Sequence, residues 1–170
     1  MKAETSFTIN MAPIRVWSHL ADFGAYAFWH PNYRFETDAI TPEQRIPLSY
    51  ALYKGEYRIK AEATITASEK PDLFSWTVGI GGIAVLEETY RLESLASGTQ
   101  VRHSIAFDGF FSRIIAVPFR RGLTQTLAIQ DGAFVRFLKK EMHRAGSANL
   151  NRHRRRARAA RHPQKGANDG

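Results

Sequence analysis

Hydrophobic and polar side chains alternate along much of this chain, and such alternation predicts β-strands with one buried face. Phe7 and Ile9 alternate with Ser6 and Thr8, which predicts a first strand over residues 4–10. Six further alternating segments are separated by turn residues at the spacing typical of an antiparallel sheet. They cover residues 33–40, 45–54, 56–68, 72–81, 84–95 and 99–108. The pattern therefore predicts an antiparallel sheet of about seven strands.

Helical spacing of apolar residues replaces this alternation in two parts of the chain. A short helix is predicted to begin at Pro13, and a second short helical segment lies between Gly24 and Pro31. Over residues 118–144 an apolar stripe of helical period predicts a long C-terminal helix. A curved sheet that wraps around this helix buries the stripe in the most economical way. We therefore predict the α+β class with a helix-grip architecture.

The inner face of the predicted sheet carries several large side chains with polar tips. Such rings need a hydrogen-bond partner or a wet cavity when they are buried. Aromatic residues on an inner sheet face more often belong to a plain core than to a binding site, so both interpretations stay open. The residues concerned are Tyr50, Tyr57, Trp76 and Tyr90.

Two ionisable residues are predicted on the same inner face. Glu88 falls between Leu86 and Tyr90, where an ionised carboxylate is costly unless it is paired or hydrated. It is a candidate general acid/base or ligand-orienting group, and the alternative is a strand bulge that returns it to solvent. His103 lies on the last strand and would form an acid/base pair with Glu88. Its alternative role is that of a core histidine with satisfied hydrogen bonds.

Several segments, in this order, resemble a known family. They are FTINMAPIRVWSHLADFGAYAFWHP, PDLFSWTV, LEETYRLE, GTQVRHSIAFDG and the closing helix. Over about residues 3–145 the chain resembles the SRPBCC superfamily, which includes START lipid-transfer domains, birch-pollen-allergen proteins and the polyketide cyclase/dehydrase-like group. The resemblance implies the helix-grip fold with a largely apolar cavity between sheet and long helix. Members bind lipids, aromatic polyketides, hormones or other hydrophobic molecules there.

The resemblance also implies which side chains contact a ligand. The stripe of the long helix faces the cavity, and Gln130 and Asp131 beside it form either a polar edge of that cavity or a side wall of the helix that pairs with Arg or Lys. His30 lies where family members close the mouth of the cavity, although a loop histidine without a role is the alternative. The predicted ligand-binding residues are Trp29, His30, Tyr50, Tyr57, Trp76, Glu88, Tyr90, His103, Leu127, Gln130 and Phe134.

The first predicted function is the binding or transport of a small hydrophobic ligand, which is a lipid, an aromatic or a polyketide-like molecule. The alternative is an enzyme of the polyketide cyclase/dehydratase kind that needs no cofactor and uses Glu88 and His103 as acid and base. No cofactor is predicted in either case.

The positive charge is concentrated at the C-terminal end. The chain has 24 Lys and Arg against 16 Asp and Glu, a net charge of +8. Residues 1–146 form the predicted ligand-binding domain and carry +2, whereas residues 147–170 carry +6 and form a flexible or partly helical tail. This tail predicts weak contact with nucleic acid or an anionic membrane, with a merely solubilising tail as the alternative. The arginines concerned are Arg152, Arg154, Arg155, Arg156, Arg158 and Arg161.

The composition excludes several other chemistries. Without any cysteine the chain has no disulfide, thiolate metal site or cysteine nucleophile. Its histidines lack paired metal-ligand spacing, so no metal site is predicted. Neither a phosphate-binding G-x4-G-K-[ST] loop nor a G-x-S-x-G elbow is present. Because no signal peptide or apolar membrane span is recognisable, a cytoplasmic location is expected.

Overall fold

A computed structural model describes residues 2–36, 45–52, 57–80, 84–108 and 112–161. Within these residues seven strands form one antiparallel sheet. The strands are β1 (Lys2–Ile9), β2 (Tyr33–Phe35), β3 (Arg45–Leu52), β4 (Tyr57–Glu69), β5 (Leu73–Ile80), β6 (Ala84–Leu95) and β7 (Gly98–Asp108). Their order across the sheet is β1-β7-β6-β5-β4-β3-β2.

Three α-helices accompany the sheet in the described residues. They are α1 (Pro13–Leu20), α2 (Tyr26–Trp29) and α3 (Ser112–Arg161), with a 3-10 turn over Phe23–Ala25 between the first two. An open antiparallel sheet, short helices after its first strand and a long C-terminal helix confirm the predicted α+β helix-grip architecture.

The predicted strands are present, and their ends differ by a few residues. β1 begins two residues before the predicted start, and the described part of β2 covers only the first residues of the predicted segment 33–40. The remainder of that segment lies outside the described residues, as do Pro42, Gly55 and Gly81-Gly82, which are turn residues between predicted strands.

The hairpin of β6 and β7 fixes which side chains face inward. These two strands pair without a register shift from Val85 opposite Asp108 to Leu95 opposite Gly98. Gly98 has a φ of +139°, and a Cβ there would lie 2.2 Å from the backbone oxygen of Ile9. Glycine is therefore required where the hairpin turn passes under the end of β1.

Helix α3 is longer than predicted. It begins at Ser112 and continues to Arg161, so the first part of the predicted tail is helical. Alanine and arginine are good helix formers, which accounts for the extension. Among the described residues, none of the helices combines the length and the apolar character that crossing a membrane requires.

The chain divides into two compact units, Met1–Val135 and Arg136–Gly170. In the first unit, Leu123 and Leu127 of α3 form a core cluster with Ala3 of β1 and Ile105 of β7. This part of α3 therefore packs on the inner face of the sheet. In the second unit the helix continues to Arg161, and Arg144 forms an ion pair with Glu141 at 2.8 Å.

Aromatic rings fill the inner face beside the short helices. Phe23 is fully buried, and its ring stacks on Phe35 with 4.0 Å between the ring centroids. The same ring contacts Tyr26, Phe74 and Trp76 at centroid distances of 5.3 to 5.9 Å. Phe23 thus links the segment after α1 to the centre of the sheet.

Candidate functional site

Glu88, Tyr90 and His103 lie side by side on the inner face of β6 and β7. Glu88 and His103 are 0% exposed and Tyr90 is 1% exposed. Tyr90 stands directly opposite His103, and Glu88 shares its face because it is two residues away on the same strand. The alternation of β6 and β7 therefore predicted these inward positions correctly. The bulge considered for Glu88 is not found in the regular pairing of these strands.

A chain of hydrogen bonds joins these side chains to β1 and α3. Glu88 Oε1 accepts from the Tyr90 hydroxyl at 3.1 Å and lies 3.0 Å from His103 Nε2. On the other side of the imidazole, His103 Nδ1 lies 2.7 Å from Asp131 Oδ1. The Thr5 hydroxyl donates to Asp131 Oδ2 at 2.5 Å. We call Glu88, His103 and Asp131 the acid–imidazole cluster.

The acid–imidazole cluster favours the protonated form of its histidine. Burial alone would lower the pKa of His103. Hydrogen bonds to Asp131 and Glu88, together with the charges of both carboxylates, outweigh burial and raise this pKa above its usual value. A protonated imidazole donates from both ring nitrogens, so it can satisfy one carboxylate on each side.

The raised pKa of His103 predicts a fall in the free energy of unfolding as the solution becomes alkaline. The folded protein binds this proton more tightly than the unfolded chain, whose histidine pKa is about 6.5. The resulting stabilisation is complete below pH of about 6.5 and is lost as the pH rises through the native pKa. Urea unfolding between pH of about 6 and 9 measures this slope.

The variant His103→Gln serves as the control for this pH dependence. His30 acts in the opposite direction, because burial, and then the charge of His103, lower its pKa well below the usual value. The burial effect is common to both proteins, so the difference between wild type and variant reports His103 together with its charge effect on His30. An identical slope in the two proteins would contradict the prediction.

The charge of Glu88 affects the pKa of four tyrosines. Burial first, and then the negative charge of Glu88, raise the pKa of Tyr26, Tyr33 and Tyr90 well above the usual value. The pKa of the partly buried Tyr50 is raised for the same two reasons. These hydroxyl groups therefore stay neutral and available for hydrogen bonding at physiological pH.

Some buried polar atoms of this region have no hydrogen-bond partner within the described residues. They include Glu88 Oε2, His30 Nε2, Trp76 Nε1 and Gln130 Oε1. Such atoms cost free energy when they are left without a partner, and native proteins keep few of them. These atoms are therefore exceptions among the buried polar groups of the described residues.

Most of the predicted ligand-binding residues are buried in the structure. Tyr50 is half-buried. The buried ones are Trp29, His30, Trp76, Glu88, Tyr90, His103, Leu127, Gln130 and Phe134.

Tyr57 lies at an inner-face position in the alternation of β4, as predicted, but this side chain is 67% exposed. Among the described residues, β4 pairs with β5 only from Glu62 onward. Tyr57 lies five residues before that point and pairs with Leu52 of β3. The alternation gives the face of the sheet toward which a side chain points. It does not show how far other elements of the fold cover that face.

Asp131 of the acid–imidazole cluster, and Thr5, which donates to it, carry weaker sequence signals. Asp131 follows Leu127 by one helical turn and precedes Phe134 by three residues. Its sequence signal was therefore the presence of an acidic residue within the apolar stripe of the helix. Thr5 faces the same side as Phe7, but nothing in the sequence distinguishes it from other strand threonines. In the structure it stands opposite His103 in the pairing of β1 with β7.

The structure describes few side chains of the basic tail. Arg152 is exposed. The side chains of Arg154, Arg155, Arg156, Arg158 and Arg161 lie outside the described residues. Contact of this tail with nucleic acid or a membrane stays a prediction.

A depression of about 780 Å³ lies on the opposite, solvent-facing side of the sheet. Its lining includes Arg45, Lys60, Glu62, Thr64 and Thr77, side chains that alternate with the buried inner-face residues. This open polar depression is distinct from the aromatic interior around Glu88. In the part of the chain that the structure describes, no group of three His, Asp or Glu side chains has the arrangement of a metal site.

Comparison with protein families gives one match that spans most of the chain. Residues 1–153 match the model of a family described as polyketide cyclase/dehydrase and lipid transport. No curated protein matches the sequence.

Comparison with solved structures shows the same fold in distantly related proteins. CV1439 from Chromobacterium violaceum has a TM-score of 0.65 at 11% identity, covering 79% of this chain and 94% of its own. NE0264 from Nitrosomonas europaea has a TM-score of 0.65 at 12% identity, covering 84% of this chain and 97% of its own. DynU16, a protein of the dynemicin biosynthetic locus, has a TM-score of 0.63 at 13% identity, covering 81% of this chain and 47% of its own.

Proposed function

Since the chain belongs to the polyketide cyclase/dehydrase and lipid transport family, we propose that it binds a small, largely apolar molecule at the inner face of the sheet. The observation that carries this proposal is the unpartnered Oε2 of the fully buried Glu88. A carboxylate oxygen in an apolar interior gains from a polar group that a ligand brings. The remaining contacts of that ligand would be apolar.

The surroundings of Glu88 suit a largely apolar ligand. Tyr90 stacks on His103 with 4.0 Å between ring centroids and an angle of 12°, and Trp76 stacks on Tyr90 at 5.6 Å and 24°. Phe134 of α3 lies 6.4 Å from Tyr90 and 4.6 Å from Trp29 of α2. Aromatic side chains of this kind supply a large apolar contact area.

Binding is tested with the neutral dye Nile red and by native mass spectrometry of protein purified from its own host. We expect a saturable Nile red site and a co-purifying small molecule. Addition of the dye should shift the NMR signal of the Trp76 indole N–H, which has no hydrogen-bond partner among the residues that the structure describes. The Trp17 indole, which donates to the Leu73 carbonyl at 3.3 Å, is the internal control.

Two matched variants show whether the dye occupies the inner face. Trp76→Leu removes a buried ring and is expected to weaken Nile red binding about tenfold, because a lost aromatic contact of this size costs roughly one to two kcal/mol. Tyr57→Leu removes an exposed ring and should leave binding unchanged. Absence of a saturable site, or equal effects of the two substitutions, would refute the proposal.

A second candidate function, acid–base catalysis on the bound molecule, is favoured by the 3.0 Å distance between Glu88 and His103. In this function Glu88 Oε2 takes a proton from the carbon next to a ligand carbonyl, and an enolate forms. The proton later returns to carbon or is lost with a leaving hydroxyl as water. His103, whose two ring nitrogens face Glu88 and Asp131, holds Glu88 in position, and the protonated Glu88 returns the proton to the ligand.

Proton exchange on a simple aryl ketone tests this second function. The methyl protons of acetophenone should exchange for deuterium faster in the presence of the protein, as followed by NMR in D2O. Glu88→Gln should abolish the acceleration, whereas Glu87→Gln, on the exposed face of the same strand, should not. No acceleration by the wild-type protein would exclude this chemistry and leave the binding proposal standing.

A further inference from the structure

The two oxygens of the buried Glu88 carboxylate have different surroundings. Oε1 receives two hydrogen bonds, from the Tyr90 hydroxyl and from His103 Nε2. Oε2 accepts no well-formed hydrogen bond within the described residues, although Glu88 is 0% exposed and the Tyr33 hydroxyl also interacts with this carboxylate. A buried charged oxygen without a hydrogen-bond donor costs more free energy than a buried neutral oxygen without one. A hydrogen-bond donor on a ligand would therefore gain most at this atom.

Two hydrogen-bond donors near Glu88 also lack a partner among the described residues. His30 Nδ1 accepts from the backbone N–H groups of Asn32 at 3.2 Å and Tyr33 at 2.9 Å, so its ring hydrogen is on Nε2. Burial, and then the charge of His103, lower the pKa of His30 and keep this ring neutral. The unpartnered His30 Nε2–H and Trp76 Nε1–H groups can donate to a ligand oxygen.

These donors lie within reach of one small molecule that contacts Glu88. Trp76 on β5 is the direct cross-strand partner of Glu88 on β6. The Tyr26 ring lies 5.6 Å from His30 and 6.0 Å from Trp76. Glu88 also acts on Tyr26, whose pKa is raised by burial and then by the charge of that carboxylate. The three unpartnered groups therefore border the same part of the interior.

The charge of the acid–imidazole cluster selects against an anionic ligand. Glu88 and Asp131 flank the one buried imidazole of His103, so the cluster holds two acidic groups against one basic group. A ligand carboxylate would add a third acidic group there and would lose its own hydration. An ammonium group would satisfy Glu88 but would offer no acceptor to the Trp76 and His30 donors.

We infer that this site takes a neutral, flat ring compound whose hydroxyl group donates to Glu88 Oε2 and accepts from the Trp76 indole N–H. The inference rests on the proposed binding function and names the polar group of its ligand. A hydroxyl is both donor and acceptor, and it fits these two unpartnered groups at once. The rings of Trp76, Tyr90 and His103 stack on one another beside Glu88, and a flat ring suits an aromatic interior of this kind. Fatty acids are poor ligands for such a site.

Naphthalene probes of similar size test which polar group the site takes. 2-Naphthol has a donor and an acceptor, 2-methoxynaphthalene has the acceptor alone, 2-naphthoate is an anion and 2-(aminomethyl)naphthalene is a cation. Titration calorimetry at neutral pH should give an affinity for 2-naphthol about tenfold above that for each of the others, as expected for one hydrogen bond to a charged acceptor. The Trp76 indole N–H signal should shift with 2-naphthol.

Glu88→Gln and Glu87→Gln form the matched pair of variants. Glu88→Gln should remove most of the preference for 2-naphthol and improve the binding of 2-naphthoate. Glu87→Gln, whose side chain is on the exposed face, should behave as wild type. Circular dichroism establishes that both variants are folded, and the indole signal in wild type tests the contact even if Glu88→Gln is unstable.

The outcomes separate this inference from the proposal on which it rests. Equal affinities for the probes, tighter binding of the anion or the cation, or a naphthol affinity that Glu88→Gln leaves unchanged would overturn the inference. Saturable Nile red binding in the same preparation would keep the binding function intact. Failure of Nile red to bind would refute the binding function itself.

Discussion

Replacing His103 with leucine is expected to lower the free energy of unfolding by about 3–5 kcal/mol, the usual cost of removing one partner of a buried ion pair. The imidazole contacts Glu88 and Asp131 at 3.0 and 2.7 Å, and neither carboxylate has another basic partner in the cluster. Leucine fills most of the space but leaves two buried acids side by side. Urea unfolding near pH 6, where His103 is protonated, measures the loss.

Two controls define the cause of that loss. Arg102→Leu removes a charge from the exposed neighbour of His103 on β7 and should change stability by no more than about 0.5 kcal/mol. Combining His103→Leu with Glu88→Gln and Asp131→Asn removes all three charges and should recover much of the lost stability. If the triple variant is less stable than His103→Leu alone, repulsion between the carboxylates is not the cause.

Truncating Phe23 to alanine is expected to destabilise the protein by about 3–5 kcal/mol, as for other large aromatic residues in a core. Its ring is 0% exposed, stacks on Phe35 and contacts Tyr26, Phe74 and Trp76. Removing it leaves a cavity that these rings cannot fill without leaving their rotamers. Thermal and urea unfolding both measure the effect.

Phe28→Ala is the matched control for Phe23→Ala. Phe28 is the same residue type five positions along the chain, but it is 84% exposed. Its truncation should change the free energy of unfolding by no more than about 0.5 kcal/mol. Similar losses for the two variants would show that the rings of this segment do not form the core described above.

The fold follows from the sequence because periodicity reports which face of an element is buried. In β6 the alternation placed Glu88 inward although the residue is charged, and the structure buries it completely. The resemblance of the chain to a known superfamily added the order of elements, and the family match supports it.

The partners of His103 could not be predicted in the same way. Periodicity describes one element at a time, whereas the contact between His103 and Asp131 depends on how far α3 is displaced along the sheet. Asp131 was therefore weighed only as a polar edge of the helix. The bond from Thr5 to Asp131 joins residues 126 positions apart, and no local pattern contains that information.

The ends of the elements were also beyond the sequence pattern. Proline is common at the first turn of a helix, which set the predicted start of α3 at Pro118, whereas the helix begins at Ser112. A proline inside a helix removes one hydrogen bond, and the neighbouring turns can compensate for it. The hydrophobic pattern was more reliable for the direction of side chains than for the lengths of the helices and strands.

The bond between Thr5 and Asp131 also has a consequence for the synthesis of the protein. It joins the first strand to a helix that is translated after all seven strands. Contacts of such sequence separation form late, because the intervening chain must first give up its conformational freedom. Until residue 131 has left the ribosome, the partner of His103 on α3 is missing. A nascent chain can therefore pair its strands before the acid–imidazole cluster is complete.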